Sequence, residues 1–287
     1  MAQVIAILSG KGGTGKSLIC CGIGEALAKE GKHVLLADGS QGLRSLELFL
    51  GMTDGILYSC PDLADGKCEI EDVLVEDEAH PGLWLLPAAQ NLPSDRNLKE
   101  VYGAALQKAA AGGEDIPAFD FILIDCGGSL ESQLSLSRLA SRPLLVVTPD
   151  PAGLRAADKL RKLTEKEPDM ILSRFHTKDM ADGILPSVPE IQELLPLNIL
   201  GILEENDGVR RAVLQGKDIC REMPEFTHIA DRLQGKDVPL PRMPEASSED
   251  SGTESISQEK PEKISAISQA SEHRGGFFRR LFQRGQK

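Results

Sequence analysis

Gly10-Lys11-Gly12-Gly13-Thr14-Gly15-Lys16-Ser17 is the stretch that decides the fold. It fits G-x-x-x-x-G-K-[ST] at every fixed position and lies between an apolar run over 4–8 and a helical periodicity over 18–29. Each residue type has a physical reason to be there. Glycines let backbone N–H groups curl around phosphate oxygens with no Cβ in the way, and the N-terminus of the following helix adds partial positive charge. Lys16 is placed to reach the β and γ phosphates and the Ser17 hydroxyl to hold Mg²⁺. Nucleotide contacts are therefore expected from Gly10, Lys11, Gly12, Gly13, Thr14, Gly15, Lys16, Ser17 and Leu18. The chain contains no Asn-Lys-x-Asp guanine motif, which favours ATP.

Outward from this loop, short apolar runs alternate with helical stretches. Strands are predicted over 4–8, 33–37, 83–86, 119–124, 144–148, 170–173 and 199–203, and helices over 18–29, 97–111, 152–166, 189–194 and 209–216. Apolar strands interleaved with helices predict an α/β fold of the P-loop NTPase type, a mostly parallel sheet with helices on both faces. The expected nucleotide-binding domain spans residues 1–240. Residues 241–272 read as a disordered linker: eight serines between 242 and 271, several glutamates and almost no large apolar side chains give too little burial to offset ordering.

The net charge of −12 opposes general nucleic-acid binding, which needs a basic surface, so no nucleic-acid partner is expected. From Arg274 onward, however, there are five basic residues and no acidic ones. The apolar stretches are far shorter than the ~20 residues needed to span a bilayer, and Met1-Ala2-Gln3 lacks the basic start of an export signal. A cytoplasmic protein is expected. The six cysteines form no CxxC pair and no zinc spacing, and read as reduced, mostly buried thiols.

The last segment, 273–287, reads as an amphipathic helix. At 100° per residue, Phe277, Phe278, Leu281 and Phe282 share one arc of about 140°, and Arg279, Arg280, Gln283 and Arg284 fill the other side. Aromatics opposite arginines suit the interface of an anionic membrane. One such helix gains little over its ordering cost, and two on a dimer bind far better through effective concentration. The expected location is thus peripheral, on the inner face of the cell membrane.

A lysine directly after the first glycine of the loop (Lys11-Gly12-Gly13) resembles the deviant loop of the MinD/ParA class of ATPases. The resemblance to its MinD branch, the septum site-determining ATPases, extends to Gly42-Leu43-Arg44-Ser45-Leu46-Glu47, to Leu83-Trp84-Leu85-Leu86-Pro87-Ala88-Ala89-Gln90, to Thr148-Pro149-Asp150, and to Gly201-Ile202-Leu203-Glu204-Glu205-Asn206. It implies an ATP-dependent face-to-face homodimer in which Lys11 contacts the nucleotide of the facing subunit. It further implies Asp125 behind the Mg²⁺ water shell, Glu204 near the adenine, a lipid-binding tip, and a protein partner such as a division inhibitor or activator.

Two departures bear on catalysis. The family ends its second strand in Asp-x-Asp, where the second aspartate positions the attacking water. This chain has Asp38-Gly39-Ser40. Serine is a far poorer base, and losing such a group costs roughly 10²–10⁴ in rate. The family's Asp-x-Pro-x-Gly is replaced by Asp125-Cys126-Gly127-Gly128-Ser129. Binding with slow or absent hydrolysis is expected, with Lys11, Lys16, Asp38 and Ser40 as the catalytic set, unless Asp38 or Gln41 shifts into the vacant role. The alternative is a non-hydrolysing, nucleotide-gated membrane scaffold for another complex, such as a flagellar, pilus or secretion machine. Cys126-Gly127-Gly128 is similar to the cluster-ligating Cys-Gly-Gly of iron proteins in the same class. Position 91, where the second cysteine would fall, is asparagine, so no iron–sulfur cluster is expected.

Overall fold

The computed structural model describes residues 2–52, 56–89, 96–215 and 217–241. The expected membrane residues at 277–284, the segment 242–287 as a whole and position 91 lie outside the described residues.

The chain opens with β1 (Gln3–Leu8), the phosphate loop and α1 (Lys16–Lys29), followed by β2 (Val34–Asp38) and α2 (Ser45–Leu50). Then come α3 (Cys60–Ala64), α4 (Ile70–Val73), β3 (Val75–Glu76), β4 (Leu83–Leu86) and α5 (Leu98–Ala111). The middle of the chain is β5 (Phe121–Asp125), α6 (Leu130–Ser137), β6 (Arg142–Val147), α7 (Pro151–Arg161) and β7 (Asp169–Phe175). It finishes with α8 (Thr177–Ala181), α9 (Val188–Leu194), β8 (Ile199–Glu204), α10 (Asp207–Leu214), α11 (Ile219–Glu222) and α12 (Glu225–Leu233).

The strands form one sheet in the order β3-β4-β2-β5-β1-β6-β7-β8. All pairings are parallel except β3 with β4. Seven parallel strands with helical crossovers must be covered on both faces, and two cores result. One is built around Tyr102, Leu136, Leu154 and Ile191 of α5, α6, α7 and α9. The other holds Ile19, Ile23 and Leu27 of α1 with Phe226, Ile229 and Leu233 of α12. The expected parallel α/β architecture is what the structure has.

The differences are local. The two-residue β3 is too short to leave a period-two signal. Helix α12 does carry a helical signature, Phe226, Ile229, Ala230 and Leu233 at i, i+3, i+4 and i+7, all buried, yet it follows the last strand and a strand-by-strand pattern passes over it. The helix expected over 152–166 ends at Arg161, where the Thr164 hydroxyl donates to the Arg161 carbonyl at 2.7 Å and closes the last turn.

Two placements matter for the site. Strand β1 sits centrally, between β5 and β6, so the loop after it emerges at the C-terminal edge of the sheet where ligands of open α/β sheets bind. In the pairing of β2 with β5, Asp38 lies directly across from Asp125. Register alone thus brings two carboxylates, 87 residues apart in the chain, beside the phosphate loop.

Candidate nucleotide and magnesium site

The loop is held at both ends. The Ser9 amide donates to Gln133 Oε1 at 2.9 Å, and the Ser9 hydroxyl donates to the Lys11 carbonyl at 2.7 Å. Gly10 passes so close to α7 that a Cβ would stand 2.4 Å from the Ala156 carbonyl oxygen. At the far end Gly15 caps α1 with φ +97°, a left-handed conformation that glycine adopts without strain. Lys16 Nζ donates to Ser9 Oγ at 2.9 Å, folding its ammonium back over the loop.

Asp125 is the deepest charged group. Fully buried, its Oδ2 accepts from Ser17 Oγ at 2.6 Å and from Ser40 Oγ at 3.3 Å, whereas Oδ1 is buried with no hydrogen-bond partner among the described residues. Burial pushes its carboxyl up, and the Ser17 hydrogen bond, the Lys16 charge and the Ser40 hydrogen bond work against that rise. A buried carboxylate with one unused oxygen beside a serine hydroxyl fits a hard dication with a water shell. Asp125 and Ser17 are the residues that would hold Mg²⁺ here.

Asp38 is also buried. Its Oδ1 accepts from the Ser40 amide at 2.7 Å and its Oδ2 from the Leu46 amide at 2.9 Å, while Tyr102 Oη donates to its backbone carbonyl at 2.5 Å. Burial, then repulsion from Asp125, pushes the carboxyl up to about 7. Asp38 is thereby fixed as the organiser of the turn into α2. Ser40 packs flush against Gly127, where an added Cβ would meet Ser40 Oγ at 2.2 Å. Its hydroxyl is spent as a donor to Asp125 and offers no free base.

Lys11 lies at the rim, its side chain 46% exposed, in an ion pair with Asp150 at 3.2 Å. Burial opposes ionisation of Asp150, but hydrogen bonds from the Thr148 hydroxyl, the Gly153 amide and Lys11 outweigh it and hold the carboxyl below its usual range. A cleft of about 300 Å³ opens beside the loop, bordered by Lys11, Thr14, Pro149, Asp150, Arg174 and His176. The Ser173 hydroxyl ties β7 to it by donating to the Thr14 carbonyl at 2.9 Å. The next residue, Arg174, holds a left-handed φ of +56°, uncommon for a side chain with a Cβ and a form of strain that collects at binding sites.

The structure therefore brings together Gly10 to Ser17, Asp38, Ser40 and Asp125. Leu18 follows on α1, half-buried. Glu204, expected near the adenine, stands exposed at the end of β8 and does not line the cleft. Gln133, Ser9, Arg174 and His176 were not singled out in the sequence. Gln133 had no local signal, because its role depends on α6 returning under the loop from 124 residues away. All six cysteines are free and buried, as expected; Cys126 is fully so, and burial pushes its thiol well up.

Residues 5–219 match the CobQ/CobB/MinD/ParA nucleotide binding domain family. The chain belongs to this family. Among curated members it is 33% identical to the septum site-determining protein MinD of Synechocystis over 251 residues, 84% of this chain and 92% of that protein. It is 31% identical to MinD of Bacillus subtilis over 252 residues, 84% of this chain and 92% of that one. Among solved structures, the Aquifex aeolicus MinC:MinD cell division complex superposes with a TM-score of 0.74 at 31% identity, covering 84% of this chain and 99% of that one. Within the CobQ/CobB/MinD/ParA family the chain thus sits beside MinD proteins.

Proposed function

We propose that this chain is a MinD-type ATPase that binds ATP with Mg²⁺ in the 10–17 loop, forms a face-to-face dimer through Lys11, attaches to anionic membrane through residues 273–287, and acts in placement of the division septum with slowed hydrolysis. The relatives that carry the septum-site name support the cellular role, and a MinC:MinD complex among the structural neighbours supports a protein partner of the division-inhibitor kind. Among the described residues no helix is long and apolar enough to cross a membrane; attachment is assigned to the tail by its sequence pattern.

The observation that carries the catalytic part is the Ser40 environment. With Asp38 held by two backbone amides and Ser40 donating to Asp125, neither residue at the end of β2 is free to orient an attacking water. Lys16 and the loop amides stabilise charge on the phosphates, Ser17 and Asp125 hold the cation, and Lys11 serves the facing subunit after leaving Asp150. Leaving costs little, because an exposed ion pair is worth about 0–1 kcal/mol.

The same observation favours a second reading, a nucleotide-gated scaffold that never hydrolyses and positions a different machine. Steady-state ATP turnover by wild type and Ser40→Asp, each with and without anionic vesicles, tests both. The first reading expects slow wild-type turnover that rises at least tenfold in Ser40→Asp. No turnover in either protein, with tight ATP binding in both, rejects it in favour of the scaffold.

A further inference from the structure

At the far end of α1 from the phosphate loop, polar side chains from three separate stretches of chain converge. Glu25 projects from α1, Asp77 and His80 from the turn that leads into β4, and Asp218 from the segment ahead of α11. One ligand-capable atom each of Glu25, His80 and Asp218 lies within 4.8 Å of the other two. His80 is oriented from behind, with Nδ1 2.7 Å from Asp77 Oδ2 while Asp77 Oδ1 accepts from the Ala79 amide at 2.9 Å. With Nδ1 donating to Asp77, the lone pair of a neutral imidazole falls on Nε2, which faces Glu25 Oε2 at 4.0 Å. A carboxylate behind the imidazole is the arrangement that fixes tautomer and orientation in metal-ligating histidines.

Glu25 is equally constrained. Its side chain is 2% exposed, and Oε2 accepts from the Ile219 and Cys220 amides at 2.9 and 3.2 Å. Asp218 keeps Oδ1 on the Arg221 amide at 3.0 Å, and Lys29 bonds both of its oxygens at 2.5 Å. Glu25, Asp77 and Asp218 face Lys29, with Lys217 at the rim, around a cavity of about 250 Å³ that is open to solvent.

We propose that Glu25, His80 and Asp218 form a binding site for a divalent transition metal of the Zn²⁺ kind, with Asp77 as the positioning residue for His80. One imidazole nitrogen and two carboxylate oxygens leave a fourth position for water, as in three-ligand zinc sites. An imidazole donor selects such an ion over Mg²⁺, which favours an all-oxygen octahedron. Bonds of ~2.0 Å put tetrahedral ligands ~3.3 Å apart, so the cluster contracts by up to ~1.5 Å and Asp218, about one-third exposed, gives up one contact with Lys29. Bound metal would staple α1 to the turn before β4 and to the start of α11. None of this rests on the function proposed for the phosphate loop.

The test uses the full chain in excess Mg²⁺, which occupies oxygen-rich sites such as Asp125, titrated with Co²⁺ and then Zn²⁺. One equivalent of Co²⁺ is expected to bind with the visible d–d bands of a four-coordinate N/O site, and Zn²⁺ to displace it. His80→Gln and Asp218→Asn should each weaken Zn²⁺ at least 100-fold, and Asp77→Asn about 10-fold, with ATP affinity unchanged in all three. Should His80→Gln fail to fold, Asp218→Asn, at a side chain about one-third exposed, carries the test alone. No metal uptake by wild type, a thiolate-to-cobalt charge-transfer band, or undiminished binding in a folded ligand variant overturns the proposal.

Discussion

Helix α1 begins in the glycine loop, where Lys16 and Ser17 stand next to each other in the chain. Nine residues later, about 13 Å along the axis, Glu25 meets the Asp77–His80 turn and Asp218, three stretches far apart in sequence. The upper end is made of neighbours, its geometry set by glycines and backbone amides. The lower end is made of side chains delivered by three different elements, and its geometry depends on the packing of the sheet and of α11. Local chemistry makes the first robust and readable; tertiary packing makes the second precise and invisible in the sequence.

If that contrast is right, the two ends should fail in different ways. The largest effect belongs to Lys16→Ala, which removes the ammonium folded over the loop. Loss of a buried charge-assisted contact costs 2–5 kcal/mol or more, so ATP affinity by equilibrium titration should fall about 1,000-fold while the denaturation midpoint hardly moves. Glu25→Ala should do the opposite. It strips the buried acceptor from the Ile219 and Cys220 amides, and stability in urea should drop by about 3 kcal/mol with ATP affinity kept. Equal loss of both properties in either variant would erase the distinction.

A third measurement sharpens the upper end. The folded Asp38 carboxyl titrates near 7 and an unfolded one near 3.8. Across that window the folded chain binds more protons than the unfolded chain, so stability of the Mg²⁺-free protein should fall as pH rises from about 4 to 7. Asp38→Asn should flatten the slope in a thermal-melt series; an unchanged slope would place the buried repulsion elsewhere. The smallest effect is at the rim. Lys11→Ala should alter monomer stability by no more than ~1 kcal/mol, since its partner Asp150 is itself about one-third exposed, yet abolish the proposed ATP-dependent dimerisation in light scattering.

The strand–loop–helix unit and the parallel sheet were legible because each rests on residues close together in the chain. Glycines at fixed offsets, a lysine and a serine at the helix start, and runs of buried apolar residues all report their conformation locally. Ser40 was legible too, as a departure from a pattern. Its consequence was not, because the contact with Asp125 and the close fit against Gly127 exist only once β2 lies beside β5.

Gln133 under the loop, the parking of Lys11 on Asp150, the exposed position of Glu204 and the Glu25–His80–Asp218 cluster were decided by tertiary structure alone. The physical reason is the range of the forces. Backbone conformation and amphipathic period are set over a few residues, so the sequence by itself determines the loop, the strands of the parallel sheet and the class of ligand. Hydrogen bonds and ion pairs between side chains act over a few ångströms of space and are indifferent to separation along the chain, so only the folded sheet decides which of them form.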